Sequence, residues 1–216
     1  MISNFRKTLK EIQSDIDRFK QINNKSYLFN LLKKPGLWIS TQYRFSKWVK
    51  VHCEIPVLRQ LLRLMCATWE QINQVLLHCE FPNTAEIGAG VYMPHPYSIV
   101  IHGDARIGSN CHLSQNVTIG VGGRGANSGV PRIGDRVYIA PGAKIFGAIT
   151  IGNDVAIGAN AVVTKDLPDN AVAVGIPAKI ISYQGSQDFV HSEKVESVDS
   201  NNTKTTIVVA KIMGNS

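Results

Sequence analysis

The chain has 216 residues, 44% of them hydrophobic and 18% charged, with a formal net charge of +7. That length allows one cored domain plus a helical extension, and the composition is that of an ordinary globular protein. The positive balance suits an anionic partner (a nucleotide-bearing cofactor, a phosphorylated substrate, or an acidic membrane surface met peripherally), while the lack of zinc-finger spacing, aromatic-interleaved basic runs and a recognition helix argues against nucleic acid.

Residues 1–80 read as α-helical. Ile2, Phe5, Leu9, Ile12, Ile16 and Phe19 recur at spacings of three and four, which is one apolar helix face. Pro35-Gly36 breaks that run, and a second follows through Trp38, Tyr43, Phe45 and Trp48. Pro56 then stands where another helix can begin. The apolar faces predict packing against the rest of the chain or another subunit. Cys53, Cys66 and Cys79 lie in apolar helical sequence and Cys111 lies further on. None forms a C-x-x-C pair or a metal spacing, which predicts reduced, buried thiols, no metal and a cytoplasmic setting. The first twenty residues lack the apolar stretch and cleavage site of a secretory signal. No run of about 18 uncharged apolar residues exists to span a bilayer.

From Ile87 the texture changes. Ile87 and Met93 begin a six-residue period, which Ile101, Ile107, Leu113 and Ile119 resume after a slip of two. Ile133, Ile139, Ile145, Ile151, Ile157 and Val163 then run without interruption. A helix repeats every 3.6 residues and an alternating strand every two. A period of six means three short strands to a triangular coil, each turning its lead residue inward. Such coils must stack, because none buries its apolar face alone. Gly, Asn and Asp serve the tight corners.

The stretch VGGRGANSGVP (121–131) interrupts the series as a loop leaving the scaffold, and is a candidate active-site element. After Pro177 the period ends. Residues 184–216, rich in Ser, Asn, Thr and Lys, predict a flexible tail, and the run TIVVAKIM within it is not assigned to a strand.

The segments AEIGAGVYMPHPYSIVIHGDARIG, QNVTIG, PRIGDRVYIAPGAKIFGAITIGNDVAIGANAVVTKDLP and GIPAK carry a resemblance. The stretch from Glu80 to Ile181 resembles the serine acetyltransferase family of hexapeptide-repeat acyltransferases, and PGLWISTQYRF is more loosely similar to that family's N-terminal portion. The resemblance implies a mainly β fold, a left-handed parallel β-helix over 81–183 preceded by the helical region 1–80. It implies acetyl transfer from acetyl-CoA to a hydroxyl, without a metal. It places the general base at His95 and its acidic partner at Glu80, seven residues before Ile87. Imidazole suits that role at neutral pH, and a carboxylate on its other nitrogen fixes the tautomer. The resemblance also sets Gly142, Ala143, Gly158 and Ala159 along the pantetheine arm of CoA, and Lys179 near a CoA phosphate. Small residues are equally what tight corners require, and a lone lysine is commonly just solvated.

The other histidines read differently. His102 and His112 sit beside inward positions and so point outward into solvent, with His102 the alternative base. His52, His78 and His191 read as structural or exposed.

At the acceptor end the pattern departs from serine acetyltransferases. Pro94 precedes His95 where that family usually has Asp, and Gly129-Val130 precedes Pro131 where it has an Arg-His pair. A charge-assisted hydrogen bond is worth roughly 1.5–3 kcal/mol, so without those side chains the grip on an amino acid weakens. The leading expectation is therefore a sugar or glycan-precursor O-acetyltransferase of the capsule and exopolysaccharide branch. Serine acetylation for cysteine biosynthesis is the alternative, and a non-catalytic β-helix scaffold is a third reading. By resemblance, copies assemble as a homotrimer or, through the helices, as a dimer of trimers.

Overall fold

The six-residue period is realised as stacked two- to four-residue strands. The structure, a computed structural model, describes residues 2–23, 34–125 and 128–190. Sheet I contains β1 (Glu86–Ile87), β3 (Arg106–Ile107), β6 (Arg132–Ile133) and β9 (Thr150–Ile151) in that spatial order. Sheet II contains β4 (His112–Leu113), β7 (Tyr138–Ile139), β10 (Ala156–Ile157), β12 (Val172–Val174) and β13 (Lys179–Ser182). Sheet III contains β2 (Val100–Ile101), β5 (Thr118–Gly120), β8 (Lys144–Phe146) and β11 (Val162–Val163). All neighbours pair in parallel except β12 with β13. The chain visits the sheets in turn, so the architecture is a three-faced parallel solenoid.

Register shows where the coils are regular. Ile133 pairs with Ile151, eighteen positions on, as three strands of six require. Ile87 pairs with Ile107, twenty positions on, and Ile107 with Ile133, twenty-six on. The two extra residues fall between Met93 and Ile101, and the eight extra fall after β5. The lead residues form columns, Ile101, Ile119, Ile145 and Val163 among them, each no more than 2% exposed. The interior is thus filled by side chains. Each such aliphatic residue contributes about 1.5–3 kcal/mol by burial. Within the regular coils the residue four beyond the lead, such as Ala105, Cys111, Val117 and Ala143, is also buried.

The corners use left-handed backbone. Gly90, Asn110, Arg136, Asp154 and Asn170 have positive φ on the edge between sheets I and II, as do Ser98, Asn116, Gly142 and Asn160 between sheets II and III. An arginine is unusual there. Arg136 donates Nε and Nη2 hydrogen bonds to the two carboxylate oxygens of Asp154, both at 2.7 Å, which offsets the strain.

Three helices, α1 (Ile2–Asn23), α2 (Pro35–His52) and α3 (Pro56–Leu77), precede the solenoid. Pro35 and Pro56 each open a helix, where the missing N–H costs nothing. The first coil presents an unpaired strand edge, which invites association unless covered. Here it is covered. The Tyr43 hydroxyl donates to Ala85 O at 2.8 Å and accepts from Ile87 N–H at 3.0 Å. Arg44 donates to Ile87 O and Gly88 O at 2.7 and 2.6 Å. Gly36 lets α2 pass against the Met93 carbonyl, since a Cβ there would lie 2.1 Å from that oxygen.

All four cysteines are free and buried. Among the described residues no helix is long and apolar enough to cross a membrane. At the C-terminal end, residues 185–190 do not trail away as the composition from 184 predicts. Ser186 Oγ donates to Arg136 O at 2.5 Å, Val190 is 2% exposed, and Phe189 stacks on Tyr138 with centroids 4.7 Å apart. Residues 191–216, with His191 and TIVVAKIM, lie outside the described residues.

Candidate active site

One edge of the solenoid, between sheets II and III, collects the candidate residues. Its corner at Pro94–Ser98 lies over 114–117 of the second coil, 140–143 of the third, 158–161 of the fourth and 175–178 of the fifth. Asn116 N–H donates to Tyr97 O at 2.8 Å, Gly142 N–H to Gln115 O at 3.0 Å, Asn160 N–H to Pro141 O at 2.9 Å and Val162 N–H to Gly175 O at 3.0 Å. Four coil steps of about 4.8 Å make this edge about 19 Å long. His95 stands at one end. Lys179 begins β13 just past the other end, and Gly142, Ala143, Gly158 and Ala159 occupy the corners between.

The two-residue excess of the first coil is what lifts His95 off the repeat. Prolines on both sides restrict the backbone around it to extended conformations. Its side chain is exposed, while Pro96 is buried. The excursion is seated on the end of α3: Ser98 N–H donates to Leu77 O at 2.9 Å, and Cys79 Sγ donates to the carbonyl of Pro96. Burial pushes the Cys79 thiol up from its ordinary value, so it remains a donor.

Glu80 follows directly. Its N–H donates to Ile99 O at 2.8 Å and its carbonyl accepts from Ile101 N–H at 3.1 Å, which adds it to the outer margin of sheet III. The structure therefore brings the Glu80 and His95 segments together through Cys79. Both side chains are exposed, and among the described residues no hydrogen bond joins them. Glu70 on α3 lies within electrostatic reach: burial first, and the Glu80 charge second, raise its carboxyl above the ordinary value.

The small residues divide into two groups. The Ala143 side chain is fully buried in the core, so it offers no methyl to a ligand. Its N–H and C=O are bonded to Ala140 and Thr118. Gly142 has φ +78°, and a Cβ there would lie 2.0 Å from Asn160 Oδ1, so the corner itself requires glycine. Gly158 is half-buried and Ala159 exposed, and these two form a low surface on the edge. Lys179 is exposed and pairs with Val174 across β12 and β13.

The remaining histidines are placed elsewhere. His112 points outward and is half-buried: its ring packs edge-on between Tyr92 and Tyr138, with centroids 5.0 and 4.9 Å apart. His102 Nδ1 accepts from Asp104 N–H at 3.2 Å, which occupies it in a local turn. His78 caps α3 in left-handed conformation, and His52 Nδ1 lies 3.2 Å from Asn4 Nδ2.

A second feature lies on the edge between sheets III and I. Gly122 and Gly129 exchange N–H···O bonds at 3.0 Å and close the interrupting loop into a hairpin. A Cβ on Gly122 would lie 2.8 Å from Phe146 Cβ, and one on Gly129 2.8 Å from Ala148 Cβ, so the stem lies flat on the third coil. Beside it is a cleft of about 590 Å³, lined by Arg124, Phe146, Ile149, Thr164, Lys165 and Asp166 among others. Sequence reasoning singled out the loop but neither cation. The available signal was the eighteen-residue coil, which sets Thr164 directly after Phe146 on this edge.

Comparison with known proteins gives this geometry a context. The family described as "Bacterial transferase hexapeptide (six repeats)" matches residues 131–165, the regular coils. A serine acetyltransferase of Helicobacter pylori is 39% identical over 152 residues, covering 70% of this chain and 84% of the relative. The chain belongs to the serine acetyltransferase family. Within it, the Mycobacterium tuberculosis serine acetyltransferase is 39% identical over 147 residues, 68% of this chain. The chain spans 61% of the length of that relative. A serine acetyltransferase solved in complex with CoA superposes with a TM-score of 0.66 at 25% identity, covering 81% of this chain and 69% of the other. Each of these relatives is named a serine acetyltransferase, and none of them points to the capsule branch in particular.

Proposed function

We propose that the chain is an acetyl-CoA-dependent O-acetyltransferase with His95 as general base and L-serine as acceptor, and that its solenoid is left-handed. The observation that carries the reading is the edge itself: an exposed histidine heads a row of low corners about 19 Å long that ends at a lysine. That shape fits a long, thin ligand with a phosphate-bearing end. Acetyl-CoA, when bound, supplies the thioester carbonyl. His95 in its neutral form takes the proton of the acceptor hydroxyl, whose oxygen then forms the ester bond as the carbon–sulfur bond breaks. The imidazolium returns the proton to the leaving sulfur. Glu80, anchored beside the His95 segment, stabilises the imidazolium as its charge develops. The choice of serine rests on the family membership.

A second reading of the acceptor, a sugar or glycan-precursor hydroxyl, is favoured by one local observation. The Arg that the family resemblance leads one to expect at position 129 is absent, and the flat seat of Gly129 on Ala148 leaves no room for a side chain there. Pro94 likewise supplies no charge beside His95.

The assembly that goes with this reading is a homotrimer or a dimer of trimers. In support, α3 exposes Val57, Leu61, Leu64 and Val75, each by at least 62%, a stripe that suits cover by another subunit. Sedimentation that finds only monomer across a wide concentration range contradicts it.

The activity test follows thiol release from acetyl-CoA with L-serine and with a panel of sugars and nucleotide sugars, in wild type and His95→Ala. Serine-dependent release that collapses in the variant is expected. Release with sugars alone replaces the acceptor, and release unchanged by the substitution removes His95 from the mechanism.

A further inference from the structure

The corner that carries His95 is closed differently from the corners stacked beneath it. In the third and fourth coils the residue after the left-handed position donates directly across the turn. Ala143 N–H bonds Ala140 O at 3.3 Å, and Ala161 N–H bonds Gly158 O at 3.2 Å. In the first coil Ile99 N–H and Pro96 O occupy the same places before the lead residue Ile101. Here a sulfur stands between them: Ile99 N–H donates to Cys79 Sγ at 3.4 Å, and the thiol donates onward to Pro96 O. We propose, on the acyl-transfer reading, that Cys79 is a positioning residue whose thiol holds this corner open and so sets where His95 and Glu80 meet the reacting groups.

Competition for acceptors places the thiol proton. Leu77 O also lies 3.4 Å from Sγ, but it already accepts from Ser98 N–H at 2.9 Å. Pro96 O belongs to a buried residue, and among the described residues no N–H donates to it. A buried carbonyl without a donor is costly, so the single thiol proton serves Pro96 O. Cys79 is itself 3% exposed, and its burial keeps the proton on sulfur. Pro96 then transmits the hold. The planar peptide unit that contains Pro96 C=O also contains Tyr97 N–H, which donates to His95 O at 2.9 Å. Anchoring one end of that unit to Cys79 therefore fixes its other end against His95. Glu80 is tied to the same point, since it follows Cys79 in the chain and its N–H donates to Ile99 O at 2.8 Å. One buried sulfur thus sets the backbone of both residues, although their side chains lie outside in solvent.

The test compares C79S, which keeps a donor, with C79A and C79V, which have none; valine retains bulk at the position. Thiol release gives kcat and the KM for acetyl-CoA, with circular dichroism and melting temperature reporting the folded fraction. Crystal structures of wild type, C79A and C79S report the corner. In C79A the Ile99 N–H should bond Pro96 O directly, as in the lower coils, with His95 displaced. A fall in kcat of about 10- to 10²-fold is expected in C79A and C79V, the scale of a misplacement of about 1 Å, with the KM for acetyl-CoA unchanged. C79S should recover most of the lost kcat. Wild-type kcat in folded C79A or C79V overturns the positioning role, even where both variants melt lower, and so does a loss in C79S equal to that in C79A. Absence of acetyl transfer by the wild type to every acceptor refutes the activity instead. The crystal structures then decide the thiol's part alone: an unmoved His95 in C79A overturns it, and a closed corner upholds it.

Discussion

Arg44 grips Asp15 in a two-pronged pair, Nε to Oδ2 at 3.1 Å and Nη2 to Oδ1 at 3.2 Å, with both side chains almost wholly buried. The pair does not stand alone. Asp15 Oδ1 also accepts from Gly90 N–H and Val91 N–H at 2.8 and 3.1 Å, and Arg44 donates to Ile87 O and Gly88 O. Burial pushes the Asp15 carboxyl up from its ordinary value, while Arg44 and the two amides pull it down. These backbone groups of the first coil are thereby answered by α1 and α2.

Removing one partner strands the other. Asp15→Ala is expected to destabilise the fold by about 3–5 kcal/mol, the cost of removing the fully buried partner of Arg44 and leaving it only the more distant, partly exposed Glu11 at 3.5 Å. Chemical denaturation of the variant measures it. A loss under about 1 kcal/mol would show that the pair behaves as a surface contact.

His95→Ala is expected to lower the acetyl-transfer rate by about 10²- to 10⁴-fold, the usual range for a general base. The melting temperature should hardly move, since the side chain is exposed. A comparable drop in His102→Ala would instead point to the histidine whose Nδ1 is engaged by Asp104 N–H.

Gly36→Ala tests the link between the helices and the candidate edge. The new Cβ would stand 2.1 Å from Met93 O, two residues before His95, so α2 must shift off the first coil. An overpacking cost of about 1–3 kcal/mol is expected, together with reduced turnover. Wild-type stability and wild-type rate in this variant would mean that α2 does not set the position of the His95 corner.

Cys111 gives a pH signature. Burial pushes its thiol from 9.0 to about 12, and Sγ donates to Gly134 O at 3.2 Å. In the fold the thiol stays protonated where the unfolded chain has already lost the proton. Its contribution is therefore complete below pH 9 and falls as pH rises toward about 12. Across that window the loss approaches about 1.4 kcal/mol per pH unit. Cys111→Ala should show a shallower fall in stability than wild type as pH rises from 9 toward about 12; parallel curves would contradict the assignment.

The solenoid is legible in the sequence because its signal is periodic: the same arrangement recurs every eighteen residues, so each lead residue from Ile133 to Val163 repeats the information of the last. The slip of two before Ile101 likewise marks the corner that presents His95. What the sequence conceals depends on packing without a period. Asp15 and Arg44 look like ordinary helix-surface charges until α1 and α2 are folded against Gly90. His112 reads as a solvated outward residue because the pattern says which way a side chain points, not that Tyr92 and Tyr138 flank it. Ala143 reads as ligand lining because its neighbours sit on an edge, yet its methyl faces the core. The packed segment 185–190 is hidden by polar composition, since Ser186 and Phe189 dock singly rather than through a repeating apolar face.

The aromatic row on sheet II gives the prism a back. Phe19 from α1 meets Tyr92 at 4.7 Å, His112 and Tyr138 continue the line, and Phe189 closes it from the far end of the described chain. Two widely separated segments thus occupy one wall of the solenoid with the chain itself, and among the described residues sheets I and III are the walls left for a neighbour. Sheet III is flanked on one side by the His95 edge and on the other by the Arg124–Lys165 cleft. A second copy laid along sheet III would therefore meet the His95 edge and the hairpin cleft at once, so that whatever either margin binds would lie in a seam between two chains rather than on one.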